Sequence, residues 1–281
     1  MIRSPRSQGL RSSVMLPLLA TCSLSLLVGA PLQQQRAAPL AVQLRTPAVS
    51  MLAAPAMADK AYTARETPKL AGGITIGTRR VVVVTGASSG LGLATTVAFA
   101  KQKDYFVIAA VRDPAKMDAV AKEAGIPKGS YVAMKLELAS LQSVKDFVEN
   151  VKFYLPARPI NHLICNAAVY RPTDPEPAFT DDGYEMSMGV NHLGHFLLVN
   201  LLLPDLKKAK NSRVCIVGSI TGNSNTIGGG FVYPRAEIGE LEGLKQGPNA
   251  EMVDGGSFDG AKAYKDAKAL NMMTVTELHR R

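Results

Sequence analysis

The chain has 281 residues, 47% of them hydrophobic, and a formal net charge of +9. This size and composition are typical of an α/β protein with one main domain, and they provide enough apolar residues to bury a core. The positive charge does not indicate nucleic-acid binding, because the body of the chain has no run of Lys and Arg with interleaved aromatic residues.

The first 58 residues are predicted to be a targeting leader. No acidic residue precedes Asp59, and an apolar stretch over residues 14–30 follows several Arg residues and ends in small side chains, as in a secretory signal. Polar residues within that stretch disfavour a permanent membrane span, and the Arg-bearing, Ala- and Pro-rich residues 31–58 are typical of a transit peptide. We interpret residues 1–58 as a bipartite signal and transit leader to a plastid (chloroplast), and 59–78 as a linker. The alternative is a single mitochondrial or plastid presequence.

The next stretch begins with an apolar run at 81–84 and passes through glycines into a helical pattern. An unbroken apolar run is expected of a strand buried on both faces of a parallel sheet. Glycines then fall where the backbone turns tightly and lets a phosphate approach, close to the positive end of the following helix. The predicted dinucleotide-binding turn consists of Gly86, Ser88, Ser89, Gly90, Leu91 and Gly92. Because a glycine-rich turn alone is a weak signal, the alternative is a turn that binds nothing.

The second predicted strand, residues 105–111, ends at Arg112. In NAD-preferring sites an acidic residue at this place binds the ribose hydroxyls, whereas an Arg suits the 2′-phosphate of NADP. Arg112, with Lys116 in the first turn of the next helix, therefore indicates NADP, and a solvated surface Arg is the alternative. A third strand over 132–138 places Glu137 and Leu138 where such folds contact the adenine.

Two further strands are predicted over 160–165 and 213–219, and the first of them is followed by Asn166 and Ala167. Asn191 lies between these strands in a predicted long amphipathic helix. Strands that alternate with helices at these intervals predict an α/β fold with a doubly wound parallel sheet of Rossmann type. Ligands of such sheets bind at the carboxyl ends of the strands.

The cysteines and histidines are interpreted as structural residues. Cys165 and Cys215 lie in predicted strands and are expected to pack in the core, and His192 and His195 are expected to be packed or hydrogen-bonded. No metal site is predicted, because the sequence has no His/Cys cluster with metal-ligand spacing.

The alternating pattern stops over residues 222–258, a Gly- and Asn-rich stretch that we interpret as an insert. A loop of this length is usually either functional or disordered. Residues 261–281 are again helical in pattern and carry Tyr264 and Lys268. These two side chains lie four residues apart and therefore share one face of the helix.

Together these landmarks resemble the short-chain dehydrogenase/reductase family, over about residues 79–281. The landmarks are, in chain order, Thr85-Gly86-x-x-x-Gly90-x-Gly92, Asn166-Ala167, Asn191, Ser219 and Tyr264-x-x-x-Lys268. The resemblance implies a nicotinamide-binding fold in which Tyr264 is the proton donor. It implies that Lys268 positions the nicotinamide ribose, and a nearby ammonium favours the phenolate. It also implies that Asn191 holds a water in the proton path and that Ser219 lines the substrate.

Within the family, the chain is similar to a light-driven branch that reduces the pigment protochlorophyllide with NADPH in chlorophyll biosynthesis. Residues 166–170, 191–196, 218–223 and 259–266 carry this similarity, and so do the 45 positions from Ser219 to Tyr264. The similarity makes Tyr170 and Thr221 candidate substrate contacts. Two alternatives stay open: a short-chain carbonyl reductase that works in darkness, and a non-catalytic protein that binds NADP or pigment.

The resemblance also implies two more strands and a substrate-covering segment after the last helix, whereas the sequence ends at Arg281. We therefore expect a fragment or a short gene product whose fifth strand is an uncovered apolar edge, which favours aggregation. Glu137 stands where the family usually has Asp, which weakens the predicted adenine contact. Peripheral attachment to a plastid membrane and homo-oligomer formation are hypotheses that the sequence leaves open.

Overall fold

The computed structural model describes residues 76–281, in which five strands alternate with helices. The predicted leader and almost all of the predicted linker lie outside the described residues. The strands are β1 (Arg80–Thr85), β2 (Tyr105–Val111), β3 (Tyr131–Lys135), β4 (His162–Cys165) and β5 (Arg213–Ile216). The α-helices are α1 (Gly90–Ala100), α2 (Pro114–Glu123), α3 (Leu141–Tyr154), α4 (Gly194–Lys207), α5 (Ile227–Gly230), α6 (Glu242–Gln246) and α7 (Gly260–Arg280).

The five strands form one parallel sheet in the order β3-β2-β1-β4-β5, which confirms the predicted fold class. β1 lies at the centre, and its four valines are fully buried. Val81 and Val83 pack in a cluster with residues of α3 and α4, whereas Val82 and Val84 pack with residues of α1 and α2. The unbroken apolar run of β1 therefore fills both faces of the sheet.

Three predicted strand boundaries are wrong by a few residues. β3 ends at Lys135 rather than 138, because the chain turns away after Leu136, the last residue whose N–H donates to β2, and the N–H of Ser140 donates back to the carbonyl of Glu137. β4 begins at His162 rather than 160, because the Ile160 N–H donates to the carbonyl of Asp205 in α4. β5 ends at Ile216, three residues earlier than predicted.

The predicted long helix around Asn191 is interrupted. Residues Met188–Leu193 form a π-helix that continues directly into α4. Side chains take part in the hydrogen bonding here, since the carbonyl of Asn191 accepts from Nδ2 of Asn271 and from Nδ1 of His195. Short π-helical turns of this kind are frequent at functional sites.

The two cysteines of the described residues differ in burial. Cys165 in β4 is buried, as predicted, and burial raises the pKa of its thiol. Cys215 is exposed, so its predicted place in the core is wrong. The reason is that β5 lies at the edge of the described sheet and pairs with β4 on one side.

The predicted insert over 222–258 packs against the first half of α7. Nζ of Lys262 donates to the carbonyl of Glu237 and to the carboxylates of Asp254 and Asp266, at 2.6–2.8 Å. One turn away, Nζ of Lys265 donates to two more carbonyls of the insert. Buried charges are stable only when they are paired and hydrogen-bonded, so these contacts fix the insert on α7.

The helices of the described part of the chain include none that is long and apolar enough to cross a membrane.

Candidate functional site

A cavity of about 850 Å³ opens at the carboxyl ends of the strands on either side of β1. Its lining includes most of the predicted cofactor residues: Gly86, Ser88, Ser89, Gly90, Leu91, Arg112, Lys116, Glu137, Leu138, Asn166 and Ala167. These residues come from four separate βα connections, which the sheet order brings together. The position matches the rule that ligands of open α/β sheets bind outside the carboxyl ends of the strands.

The turn between β1 and α1 has the backbone that an anion requires. Gly86 and Gly90 have φ of +64° and +51°, a region that residues with a Cβ rarely adopt. Ser89 precedes the first turn of α1 without a side-chain hydrogen bond to it. The first N–H groups of α1 are therefore available to a phosphate at the positive end of the helix dipole.

Gly92 is the one glycine of the predicted turn that does not line the cavity. A Cβ at this position would lie 2.1 Å from the carbonyl oxygen of Gly86 and 2.5 Å from Nδ2 of Asn166. Such distances are far below van der Waals contact, so only glycine lets α1 lie this close to β1. The geometry gives Gly92 a packing role beneath the turn.

Two basic side chains lie at the β2 end of the cavity. Arg112 follows β2 and Lys116 lies in the first turn of α2, and both are exposed. Between them, the carboxylate of Asp113 accepts from the N–H of Lys116 and caps α2. Because that carboxylate is hydrogen-bonded to the helix, the side chains of Arg112 and Lys116 are available to bind an anionic group.

Glu137 and Leu138 line the cavity after β3. One carboxylate oxygen of Glu137 accepts from the N–H of Ala139 at 3.0 Å. This local bond fixes the side chain at the cavity wall, where the adenine was predicted to bind.

Asn166 and Ala167, which follow β4, form hydrogen bonds with the last residue of β1. Their backbone N–H groups both donate to the hydroxyl of Thr85, at 2.9 and 3.0 Å, and Nδ2 of Asn166 donates to the Thr85 carbonyl. The Thr85 hydroxyl in turn meets Nε2 of buried His195 at 2.9 Å. These bonds hold the floor of the cavity rigid.

The predicted catalytic pair lies on α7. Tyr264 is half-buried, and its ring meets the ring of Tyr170 edge to face at a centroid distance of 4.7 Å. Nζ of Lys268 lies 5.6 Å from the centroid of the Tyr264 ring and donates to the carbonyl of Val217 at 2.7 Å. Burial lowers the pKa of Lys268. Tyr170 is 64% exposed and follows Val169, which lines the cavity, so the tyrosine pair lies beside the cavity mouth.

Ser219 and Thr221 lie next to Lys268. Ser219 caps a 3₁₀ turn, Ile220–Gly222, that contains Thr221. The turn packs closely on α7, since a Cβ on Gly222 would lie 2.9 Å from the Lys268 backbone. The two hydroxyls are 2.8 Å apart, and the Ser219 hydroxyl accepts from the Thr221 N–H. This hydrogen bonding is local, and the predicted contacts of both residues with substrate stay predictions.

Asn191 is 1% exposed, and its amide is used by the protein itself. Its Oδ1 accepts from the N–H of Val169 and its Nδ2 donates to the carbonyl of the same residue, at 2.8 and 2.9 Å. The amide therefore acts as a strand partner for the segment after β4. Its predicted role in holding a water stays a prediction.

His192 and His195 are buried and hydrogen-bonded, as predicted for structural residues. Burial lowers the pKa of His192, and it lowers that of His195 to about 4. Both imidazoles are therefore neutral at physiological pH. Among residues 76–281, no group of three or more His, Cys, Asp or Glu side chains is arranged to hold a metal ion.

Asn271 is a polar residue of the site region that the sequence analysis did not identify. It is buried in α7 and contacts both His192 and Asn191. Its spacing in the sequence could have identified it, because positions 264, 268 and 271 follow the i, i+4, i+7 rule for residues on one helix face.

Residues 80–235 match the sequence profile of the family described as short chain dehydrogenase. The chain belongs to the short-chain dehydrogenase family. The solved structures that this short-chain dehydrogenase resembles include an NADPH-bound carbonyl reductase from chicken fatty liver, with a TM-score of 0.50 and 24% identity over 71% of this chain and 70% of that one. At this identity the likeness shows the fold.

The curated relatives of this short-chain dehydrogenase are more similar to it. The chloroplastic protochlorophyllide reductase of Cucumis sativus is 56% identical over 205 residues, which cover 71% of this chain and 51% of that protein. Protochlorophyllide reductase A of Arabidopsis thaliana, also chloroplastic, is 54% identical over 206 residues, 71% of this chain and 50% of that protein. The chain spans about half the length of the curated relatives it matches.

Proposed function

We propose that this chain is an NADPH-dependent oxidoreductase that reduces protochlorophyllide to chlorophyllide in light, as a step of chlorophyll biosynthesis. The observation that carries the proposal is the 56% identity to a protochlorophyllide reductase over 205 residues. It is supported by the site, where a cavity of about 850 Å³ lies beside the Tyr264, Lys268 and Tyr170 cluster.

The residues of the cavity fit NADPH. The positive-φ glycines and the uncapped start of α1 suit the pyrophosphate, and Arg112 and Lys116 suit a 2′-phosphate. A charge-assisted hydrogen bond to phosphate is roughly twice as strong as a neutral one. We infer a preference for NADPH over NADH from these two side chains.

The chemistry divides between the cofactor and the protein. When bound, NADPH supplies a hydride for the reduction. Tyr264 is the acid of the site and delivers the proton from its phenolic oxygen, while the nearby ammonium of Lys268 favours the phenolate that remains. Tyr170 presents an exposed aromatic face beside Tyr264, which suits a flat conjugated substrate such as a tetrapyrrole. The protein contributes position and electrostatics.

The location and partners follow from the same proposal. We infer delivery to a plastid through the bipartite leader of residues 1–58, since the relatives are named chloroplastic. Peripheral attachment to a plastid membrane and self-association remain part of this proposal as hypotheses.

The test is spectroscopic and uses the purified full chain. Protein, NADPH and protochlorophyllide are mixed in darkness, and absorption spectra are taken before and after a flash. We expect conversion to chlorophyllide after the flash alone. Conversion in darkness would favour a dark reductase, and pigment binding without conversion would favour a non-catalytic binding protein; either result overturns the proposal.

A further inference from the structure

The side chain of Asn271 joins the helix of Tyr264 to the π-helical turn of Asn191. Asn271 is 3% exposed. Its Nδ2 donates to the carbonyl oxygen of Asn191 at 2.9 Å, and its Oδ1 lies 3.0 Å from Nδ1 of His192. Each end of the buried amide therefore has a partner on the π-helical turn.

The orientation of this amide follows from its partners. A carbonyl oxygen only accepts hydrogen bonds, so the group of Asn271 that faces Asn191 is the NH₂. Oδ1 then faces His192, and Nδ1 of that neutral imidazole carries the proton. The same Asn191 carbonyl also meets Nδ1 of His195 at 3.3 Å. The π-helical turn is thus held by side chains from two directions.

These bonds belong to a closed circuit of contacts that begins and ends on α7. From Asn271 the circuit passes to the backbone of Asn191, and the Asn191 amide holds both polar groups of Val169, at 2.8 and 2.9 Å. Val169 is followed by Tyr170, whose ring packs on Tyr264 at 4.7 Å. One half of the circuit fixes α7, and the other half fixes the segment that leaves β4 beside the cavity.

We propose that Asn271 is a positioning residue for the reduction: it sets the place of Tyr264 relative to the segment of Val169 and Tyr170. This inference rests on the proposed function, because it assigns the circuit to the proton step. Asn271 itself does not line the cavity, so its substitution removes none of the groups that would hold the cofactor. A displacement of about 1 Å in a reacting group is enough to cost up to about a hundredfold in rate.

The first test variant is Asn271→Asp, which keeps the shape of the side chain and the acceptor for His192. It replaces the NH₂ that faces the Asn191 carbonyl by an oxygen, and the ionised carboxylate repels the carbonyl that the amide attracts. The matched control is Asn200→Asp on α4, where Nδ2 of an exposed Asn donates to the Phe196 carbonyl within one helix. Both substitutions make the same chemical change to an amide that donates to a backbone carbonyl.

Three quantities are measured on the full chain: the dissociation constant of NADPH, the KM for protochlorophyllide, and the rates of the hydride and proton phases after a flash. We expect Asn271→Asp to slow the proton phase by about tenfold to a hundredfold. The dissociation constant of NADPH stays within about twofold, because Asn271 does not line the cavity. Asn200→Asp leaves all three unchanged.

A second variant, His192→Phe, keeps the inference testable if Asn271→Asp does not fold. Phe preserves the ring contact with Phe196, at 5.8 Å, and removes the Nδ1 proton from Oδ1 of Asn271. We expect a smaller slowing of the same phase, again without loss of NADPH binding.

The outcomes separate this inference from the proposed function. An unaltered chain that converts no pigment in light overturns both. An active unaltered chain whose folded variants keep the normal proton phase overturns the positioning role alone. Equal losses in NADPH binding and in both phases also overturn it, because they indicate a general structural effect.

Discussion

At the scale of single residues, the proposed preference for NADPH depends on two side chains at the β2 end of the cavity. Arg112 and Lys116 stand where an acidic residue would bind the ribose hydroxyls of NAD. Both are exposed, so their interaction with phosphate is screened by salt. A charged hydrogen bond at this place nevertheless contributes more than a neutral one.

We predict that Arg112→Ala weakens the binding of NADPH by about 1.5–3 kcal/mol, the range for a hydrogen bond to a charged group. The binding of NADH should hardly change, because NADH has no 2′-phosphate. Titration of intrinsic cofactor fluorescence gives both constants. Lys122→Ala, in the last turn of the same helix, is the matched control, and equal losses for the two cofactors would remove the 2′-phosphate role.

The sequence predicts some of these residues and not others, for physical reasons. Gly86, Gly90 and Arg112 could be identified because the turn and the strand end impose their residue type locally. The contacts of Asn191 could not be identified, because its amide binds a backbone segment 22 positions away. Pairing of that kind is a product of the tertiary fold and leaves no local signal.

At the scale of elements, one face of α7 contacts the candidate site and the π-helix, and another face contacts the insert. Tyr264, Lys268 and Asn271 face the site and the π-helix. Lys262 and Asp266 face the insert, and Asp266 is fully buried. A buried ion pair is costly to form, and breaking it is costlier still.

The face of α7 that contacts the insert carries titratable groups, so it affects how the free energy of unfolding changes with pH. Burial raises the pKa of Asp266 from 3.8 to about 6, although Lys262 and the Glu237 N–H lower it and Asp254 raises it further. Burial alone would lower the pKa of Lys262. Its hydrogen bonds and charge attraction to Asp254 and Asp266 outweigh burial, so the pKa of Lys262 is raised. Burial therefore outweighs the pairing at Asp266.

We predict that Asp266→Asn flattens the pH dependence of unfolding. Between pH 3.8 and about 6 the folded chain holds a proton on Asp266 that the unfolded chain has released, so rising pH lowers the free energy of unfolding there. The difference in unfolding free energy between the unaltered chain and Asp266→Asn should fall through this window and level off above it. Denaturant titrations at several pH values measure it.

Asp146→Asn, an exposed carboxylate on α3 that binds Gln142, is the control for this series. A constant difference between the unaltered chain and Asp266→Asn across the whole window would show that Asp266 keeps an ordinary titration in the folded state.

The interruption of the helix at Asn191 belongs to the same scale. An amphipathic pattern predicts one continuous helix through residues 191–196, since periodicity indicates which residues are buried and not which hydrogen-bond partner each backbone group has. Within the π-helix Met188–Leu193, the carbonyl of Asn191 accepts a hydrogen bond from Asn271, which lies 80 positions later. The helix type therefore could not be predicted from the local sequence.

At the scale of the whole molecule, the order of the strands places the site. β1 is central, and β2 and β4 flank it, so the connections that follow these strands converge on one cavity. The alternation of strands and helices was enough to predict this arrangement, because parallel strands require crossover helices. The insert was predicted from the loss of pattern, but its attachment to α7 depends on hydrogen bonds between distant residues, from Nζ of Lys262 to the carbonyl of Glu237 and from Nζ of Lys265 to the carbonyl of Val232.

The most direct measurement of the central claim compares the unaltered chain with Tyr264→Phe after a light flash, with NADPH and protochlorophyllide bound. We predict that both bind cofactor and pigment, because the Phe ring still packs on Tyr170. The proton phase should be slower in Tyr264→Phe by about a hundredfold or more, the contribution of a positioned acid, while no conversion occurs in darkness. An unchanged proton phase in Tyr264→Phe, or conversion of pigment by the unaltered chain in darkness, would contradict the account.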